Sequence, residues 1–308
     1  MSAPSPITSG ACLLCGGSLE TYYSDVRDPY TGERFTILRC SHCDLGRTAP
    51  IPSHLSRYYP ESYHGGRHGI TANYCVARRA RLLRSVCGDG KGKKLLDIGC
   101  GEGTFLLKAS AANWSVFGTE LKPQAAREAR LEVWESIEEA ANETPFDCIT
   151  LWHSLEHLPD PKATLCSARE LLHPDGKVII AVPDAGGLQA RLFGAQWLHM
   201  DVPRHLHHFS RTSLAKLLAE AGLDVTRTWH QELEYDFLGW VQSALNKVLP
   251  EPNVLFSLLT GRGSPAASWQ KLVSIFGGGV LTIPALAGVA AGTLSRRGGT
   301  LIMAAKRK

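Results

Sequence analysis

Residues 93–106 read KKLLDIGCGEGTFL: an apolar run, an acid at Asp97, then glycines at 99, 101 and 103 ahead of Thr104-Phe105-Leu106. The apolar run predicts a buried strand over 94–98, and the alternate glycines predict a tight turn into a helix over 103–112. Glycines in such a turn let a ligand come close to the backbone. Dinucleotide sites use turns of this kind too, with the spacing GxGxxG. Here the spacing is GxGxG, Asp97 stands two residues before the first glycine, and Glu102 lies inside the loop.

Carboxylates repel a pyrophosphate and attract a cation. The turn therefore suits a ligand carrying an ammonium and a sulfonium, such as S-adenosylmethionine. About twenty residues on, Trp114 to Gly118 predict a second strand ending in Thr119-Glu120, where an acid reaches the ribose hydroxyls of an adenosine. A third strand over 131–134 leads to Glu135 and Ser136, expected at the adenine rim. A fourth over 146–151 ends at Trp152 and His153, either of which is expected against the adenine ring.

Helical spacing at 123–130 and 161–173 alternates with these strands and with a fifth at 176–182, so the fold class is α/β, a doubly wound, mostly parallel sheet covered on both faces. Ser210 is a fitting N-cap for a helix over 211–222 that Gly222 stops. Strands at 223–230 and 299–305 close the pattern. The methyl donor and every motif named so far fall on the carboxyl edge of the sheet.

The stretches DIGCGEG, FGTELKP and FDCITLWHSLEHLPDP together resemble the class I S-adenosylmethionine-dependent methyltransferases. The resemblance implies a Rossmann-like methyltransferase fold over 93–232 plus 299–308. It also implies a donor site built from Asp97, Gly99, Gly101, Gly103 and Glu120.

Two candidate bases follow. In PRHLHHFS (203–210), RHLHHFS is similar to the EH-x-x-YFS stretch of zinc-ribbon sugar C-methyltransferases, which implies His205 as base, with Arg204 in place of a glutamate and His208 in place of a tyrosine. In SLEHLPDP, Glu156-His157 is similar to the LEH-x-PDP of small-molecule O-methyltransferases, including those of quinone biosynthesis, and His157 is expected to start a helix. From the residues alone, the triple histidine leaves a metal site, a structural turn and an acid/base site open. Histidine suits the last because its ordinary pKa is near 6.5. His205, His208 and His157 are the candidate catalytic residues.

At the front, Cys12-Leu13-Leu14-Cys15 and Cys40-Ser41-His42-Cys43 are two CxxC knuckles, the pattern of a closed four-sulfur shell for structural Zn2+. With Phe35 to Arg39 as a strand between them, residues 1–48 read as a zinc ribbon with His42 exposed. Residues 49–92 read as a connector, with Tyr58, Tyr59 and Tyr63 packing, and a helix near 72–87.

Residues 233–298 read as an apolar helical insertion before the last strand. Residues 272–295 carry no charge, and they meet the crude length of a membrane span, about 20 residues. A single crossing would strand the last strand, so the readings are a buried helical hairpin or a patch dipping into a membrane surface beside Arg296-Arg297. The insertion is expected to cap the cleft and admit a lipid-linked or otherwise apolar acceptor.

The net charge of +4 is weak, so no nucleic acid is expected as a partner. No secretory signal is evident, and nine cysteines argue for a reducing, cytoplasmic compartment, peripheral at most to the inner membrane face. The expected function is methylation of a small molecule: a sugar, a lipid-linked saccharide or a quinone-like acceptor. An RNA methyltransferase and a non-catalytic donor-binding protein are the rivals.

Overall fold

The computed structural model describes residues 10–59, 71–262 and 264–308; Tyr63 lies outside them. Two sheets organise the chain. The first holds β1 (Leu19–Arg27), β2 (Arg34–Cys40), β3 (Gly46–Ala49) and β9 (His207–His208), in that order and antiparallel throughout. The second is built on β4 (Lys94–Ile98), β5 (Ser115–Thr119), β6 (Glu132–Trp134), β7 (Phe146–Trp152), β8 (Leu172–Pro183), β10 (Leu223–Trp229) and β11 (Thr300–Arg307). Its order is β10-β11-β8-β7-β4-β5-β6, with β4 to β8 parallel and β11 antiparallel to both its neighbours.

Alternation along the central strands divides the core. Ile149, Leu151, Val178, Ile180 and Val182 face one layer, with α4 (Pro161–Leu171) and α6 (Arg211–Glu220). Cys148, Ile179 and Ala181 face the other, with α1 (Ala72–Cys87) and α2 (Thr104–Ser110). Successive side chains of a strand point to opposite faces, so a parallel strand covered on both sides is apolar throughout. A short helix, α3 (Gln124–Glu128), links β5 to β6. Because β4 runs on to β5 and β6 while β7 and β8 lie on its other side, the strand order reverses between β4 and β7, which opens a crevice at their carboxyl ends.

The first layer does not end at the seven-stranded sheet. Cys12, Leu14, Leu38, Cys40 and Leu45 belong to the same buried cluster as Leu155, Phe209 and Leu214. The histidine stretch is the seam. Rather than a plain loop, it contains β9, whose His208 pairs with Gly46 and His207 with Arg47. Strand β3 crosses the boundary expected at residue 48.

After β8 the chain forms α5 (Leu188–Phe193) and two single 3-10 turns before reaching the histidines. Ser210 caps α6 as expected, accepting from the Ser213 amide while the Ser213 hydroxyl accepts from the Ser210 amide. Gly222 follows its end at φ +76°. His157 does not start a helix. It closes a single 3-10 turn, Leu155–His157, and α4 begins only at Pro161, where the Asp160 carboxylate accepts from the Ala163 amide.

The insertion contributes α7 (Leu233–Asn246), α8 (Val254–Thr260), α9 (Ser268–Val280) and α10 (Thr282–Leu294). The last two are not a hairpin. They run on from one another with a bend of 58°, and among the described residues no single helix is long and apolar enough to cross a membrane. Only Gln270 and Ser274 of α9 are buried, while Phe276 is 78% exposed, Ile283 79% and Leu294 85%. Gly288 brings α10 against Trp240 of α7, since a Cβ there would lie 2.5 Å from the indole.

Candidate functional site

The glycine turn is fixed from behind. The amides of Gly99 and Cys100 donate to the Thr119 carbonyl at 2.8 and 3.0 Å, tying the end of β4 to the end of β5. All three glycines have positive φ, and each serves a different end. A Cβ on Gly99 would lie 2.6 Å from Ser154 Cβ, and one on Gly103 would lie 2.1 Å from Leu131, so both permit close packing. A Cβ on Gly101 meets nothing within 4 Å. That position is the open face of the turn.

Two acids bracket it. Glu120 accepts from the Gly101 amide at 2.9 Å. Asp97 is buried and accepts from the Thr150 hydroxyl at 2.6 Å. Burial raises its carboxyl to about 7, against which the Thr150 hydrogen bond and the Arg79 charge work. A cation over the turn would favour the ionised form.

The sign of the stability effect follows. A carboxyl with a raised folded pKa destabilises the fold as pH rises from its unfolded value, about 4, through about 7. Asp97→Asn is therefore expected to stabilise the donor-free protein by on the order of 2 kcal/mol at pH 8 and little at pH 4, while weakening donor binding. Thermal unfolding across that pH range checks this; an equal effect at both ends contradicts it.

The other expected donor contacts are placed unevenly. Glu135 and Ser136 follow β6, Glu135 on the surface 3.9 Å from Arg127 and the Ser136 amide donating to Glu139. Trp152, expected against the adenine ring, is buried edge-on against Phe105, with the Arg79 guanidinium over its ring. His153, at φ +52°, turns to the opposite, acceptor side. Its ring stacks on Tyr235 of α7 at 4.2 Å, and its Nε2 bonds to Glu232, which also pairs with Arg78 and Arg79.

At the carboxyl ends of β7 and β8, beside His153 and Pro183, lies a cleft of about 250 Å3. Its floor is polar, formed by His153, Glu156, His157 and His205. Its walls are Tyr30 from the ribbon and Phe237, Leu238, Phe256 and Leu259 from α7 and α8, with Glu234, Asn253 and Arg262 among them. His205 Nδ1 lies 2.9 Å from the His199 carbonyl, and His157 Nδ1 lies 3.0 Å from the Arg204 carbonyl and 3.2 Å from the Tyr59 hydroxyl. The two rings stand edge to face at 4.7 Å. Burial first, and then the neighbouring His157, lower the His205 pKa to about 3, so this imidazole is neutral at physiological pH. Asp201 Oδ2 lies 3.8 Å from His205 Nε2. Burial pushes the Asp201 carboxyl up, but the Arg204 guanidinium paired with it holds it well below the usual range.

His208, expected as a candidate base, stands apart from the other two candidates. It does not line the cleft: its Nε2 lies 2.9 Å from the Thr48 hydroxyl inside the ribbon sheet, and burial lowers its pKa to about 3. Arg204 is fully buried, donating to Asp28 at 2.8 Å, to Asp201 and to the Tyr58 carbonyl. Thr48 also donates to the His205 carbonyl at 2.6 Å. The ribbon thus holds the histidine stretch at three points. Asp201, His199 and Tyr235 were not singled out in the sequence. Only Asp201, four residues before His205, carried a signal there.

The four cysteines converge. Sγ of Cys12 and Cys43 are 3.5 Å apart and those of Cys15 and Cys40 3.4 Å. Zn–S bonds of about 2.3 Å set tetrahedral sulfurs about 3.8 Å apart, so the set fits one zinc ion with no open position. His42 is exposed.

A family model described as a methyltransferase domain matches residues 67–228, just over half of the chain. The chain belongs to that family. It is 32% identical over 152 residues to a ubiquinone biosynthesis O-methyltransferase of Aromatoleum aromaticum, covering 43% of this chain and 64% of that one. It is 33% identical over 153 residues to the Pseudomonas aeruginosa protein of the same name, covering 44% and 66%. The chain thus spans slightly less than two thirds of these relatives. Among solved structures, 1,6-didemethyltoxoflavin-N1-methyltransferase of Burkholderia thailandensis, with bound 1,6-didemethyltoxoflavin and S-adenosylhomocysteine, has a TM-score of 0.49. It is 18% identical, and the likeness covers 91% of this chain and 98% of that one.

Proposed function

We propose that the chain transfers a methyl group from S-adenosylmethionine to a hydroxyl of an apolar, quinone-like small molecule. The observation that carries this reading is the pairing of an acid-bracketed glycine turn with a cleft whose floor is polar and whose walls are apolar. Asp97 and Glu120 hold the ammonium and ribose ends of the donor, and the open face at Gly101 leaves room for its chain. An acceptor ring packs between Phe237, Leu238, Phe256 and Leu259, which turns its hydroxyl toward Glu156, His157 and His205. Zinc in the cysteine shell is structural.

The relatives named for ubiquinone biosynthesis support an oxygen nucleophile. The apolar walls favour a hydrophobic ring over a free sugar. A lipid-linked acceptor is consistent with α9 and α10, whose exposed apolar side chains lie beside Arg296 and Arg297 and suit contact with a bilayer surface. Co-sedimentation with anionic vesicles tests that contact; full recovery in the supernatant contradicts it.

Incubating the protein with isotope-labelled donor and a cell extract, then following the label by mass spectrometry, tests the function. Wild type is expected to label an apolar metabolite. His205→Ala is expected to lose about 10²–10⁴-fold in rate with donor affinity retained. Equal labelling by both proteins would remove His205 from the reaction, and no labelling by wild type would overturn the reading.

A further inference from the structure

We infer that the outer faces of α9 and α10 seat the chain on an anionic bilayer surface, and that the acceptor enters the cleft from the lipid, past α8. The inference rests on the proposed methyl transfer and deepens it by making the acceptor a membrane-resident amphiphile.

The polarity of α9 is reversed. A helix on a protein surface in water turns its apolar stripe to the core and its polar side chains outward. Here Gln270 and Ser274 are buried, while Trp269, Leu272, Phe276 and Val280, three or four residues apart along one side, are exposed. Gln270 accepts from the Glu251 amide at 3.1 Å, but the Ser274 hydroxyl has no partner among the described residues. Helix α10 follows the same plan. It buries the small side chains of Ala285 and Val289 and turns Ile283, Leu286 and Leu294 outward. Contiguous exposed apolar side chains of this size mark a surface that meets another apolar phase. Each helix keeps one side on the protein, so the pair offers lipid a face and not a full circumference, as an in-plane anchor does.

Charge decides between a bilayer and a second copy of the chain. From Pro252 to Lys308 the sequence has no Asp or Glu and seven Lys or Arg. Lys271 lies on α9, and Arg296 and Arg297 follow α10 directly. Self-association through this face would crowd these cations together, whereas anionic headgroups attract them.

Helix α8 gives the route to the cleft. Phe256 and Leu259 line the cleft, and Leu259 is also exposed beside Leu258, so the apolar wall continues to the outer surface. Helix α9 packs directly on α8, since a Cβ on Gly278 would lie 2.9 Å from Leu255. An acceptor's tail can thus stay in lipid while its hydroxyl reaches the polar floor.

Flotation of the zinc-loaded full chain with vesicles tests the docking. It is expected to float with mixed phosphatidylcholine and phosphatidylglycerol, less with phosphatidylcholine alone, and less as salt rises. Phe276→Ser with Ile283→Ser, and separately Lys271→Glu with Arg296→Glu, are each expected to weaken vesicle binding roughly tenfold or more. Circular dichroism and calorimetric donor binding establish that both are folded. With labelled donor and the membrane fraction of a cell extract, labelling is expected to fall in step with vesicle binding. Dispersing that fraction in nonionic detergent is expected to bring the variants level with wild type, because their chemistry is intact.

No flotation of wild type, or flotation unchanged in both double variants, overturns the docking. A dimer that Phe276→Ser with Ile283→Ser dissolves, without vesicle binding, gives the face to a second copy and also overturns it. Flotation lost with labelling of membranes unchanged overturns the route past α8 while the methyltransferase reading stands. Flotation without any labelling overturns only that reading.

Discussion

Stripping zinc from the cysteine shell, or replacing Cys40 with serine, is expected to unfold the ribbon and to abolish methyl transfer while leaving donor binding in place. Zinc supplies roughly 10–16 kcal/mol in peptide-sized sites, more than the margin by which most domains are stable. Beyond the zinc, the four-stranded sheet leans on the buried clusters it shares with the rest of the chain. Its β1 exposes most of its side chains and carries two register shifts. Loss of β3 removes the strand paired with β9 and the Thr48 hydroxyl that holds the His205 carbonyl. The glycine turn is pinned instead by Thr119 and Ser154, from the other sheet. Hydrogen exchange is expected to rise together at residues 46–49 and 205–208 but not at 97–103. Uniform unfolding of both regions, or none in either, would contradict this division.

Arg204→Met is expected to cost about 3–5 kcal/mol, because it leaves the Asp28 carboxylate buried without its countercharge. Both side chains of this pair are 0% exposed. The same guanidinium reaches Asp201 and the Tyr58 carbonyl, so one substitution loosens the ribbon, the connector and the histidine stretch together. The melting temperature should fall by about 10 °C. Adding Asp28→Leu should recover much of the loss, since an apolar pair of similar volume often matches a buried ion pair. A single-variant loss below about 1 kcal/mol would contradict the assignment. Arg204 therefore stands where the resemblance has a glutamate, and it acts by holding the loop.

What the sequence revealed follows from how local each signal is. The strand at 94–98 was legible to the residue, and that at 115–119 to within about one, because apolar runs there end abruptly in glycine turns or an acid. The cap at Ser210 and the stop at Gly222 were legible for the same reason. Strand β1 was not, since its burial does not alternate and Asp25 sits at φ +65° within it. Strand β8 starts at Leu172, earlier than its apolar run, and a register shift against β7 absorbs the polar residues between.

The pairing of His207 and His208 with residues some 160 positions earlier leaves no local pattern. That pairing decides their roles: it draws His208 into the ribbon sheet and leaves His205 facing the cleft. Trp152 and His153 show the same limit. Neighbours at the end of one strand point to opposite faces, and only the surrounding layers determine which face holds core and which holds ligand.

The central claim is that a cationic methyl donor lies over the turn between β4 and α2, between Asp97 and Glu120. Calorimetric titration of the zinc-loaded protein with S-adenosylmethionine tests it most directly. One molecule is expected to bind per chain, with affinity rising as pH passes upward through about 7, where Asp97 becomes ionised. No uptake of that donor, with binding of a nicotinamide dinucleotide in its place, would contradict the account.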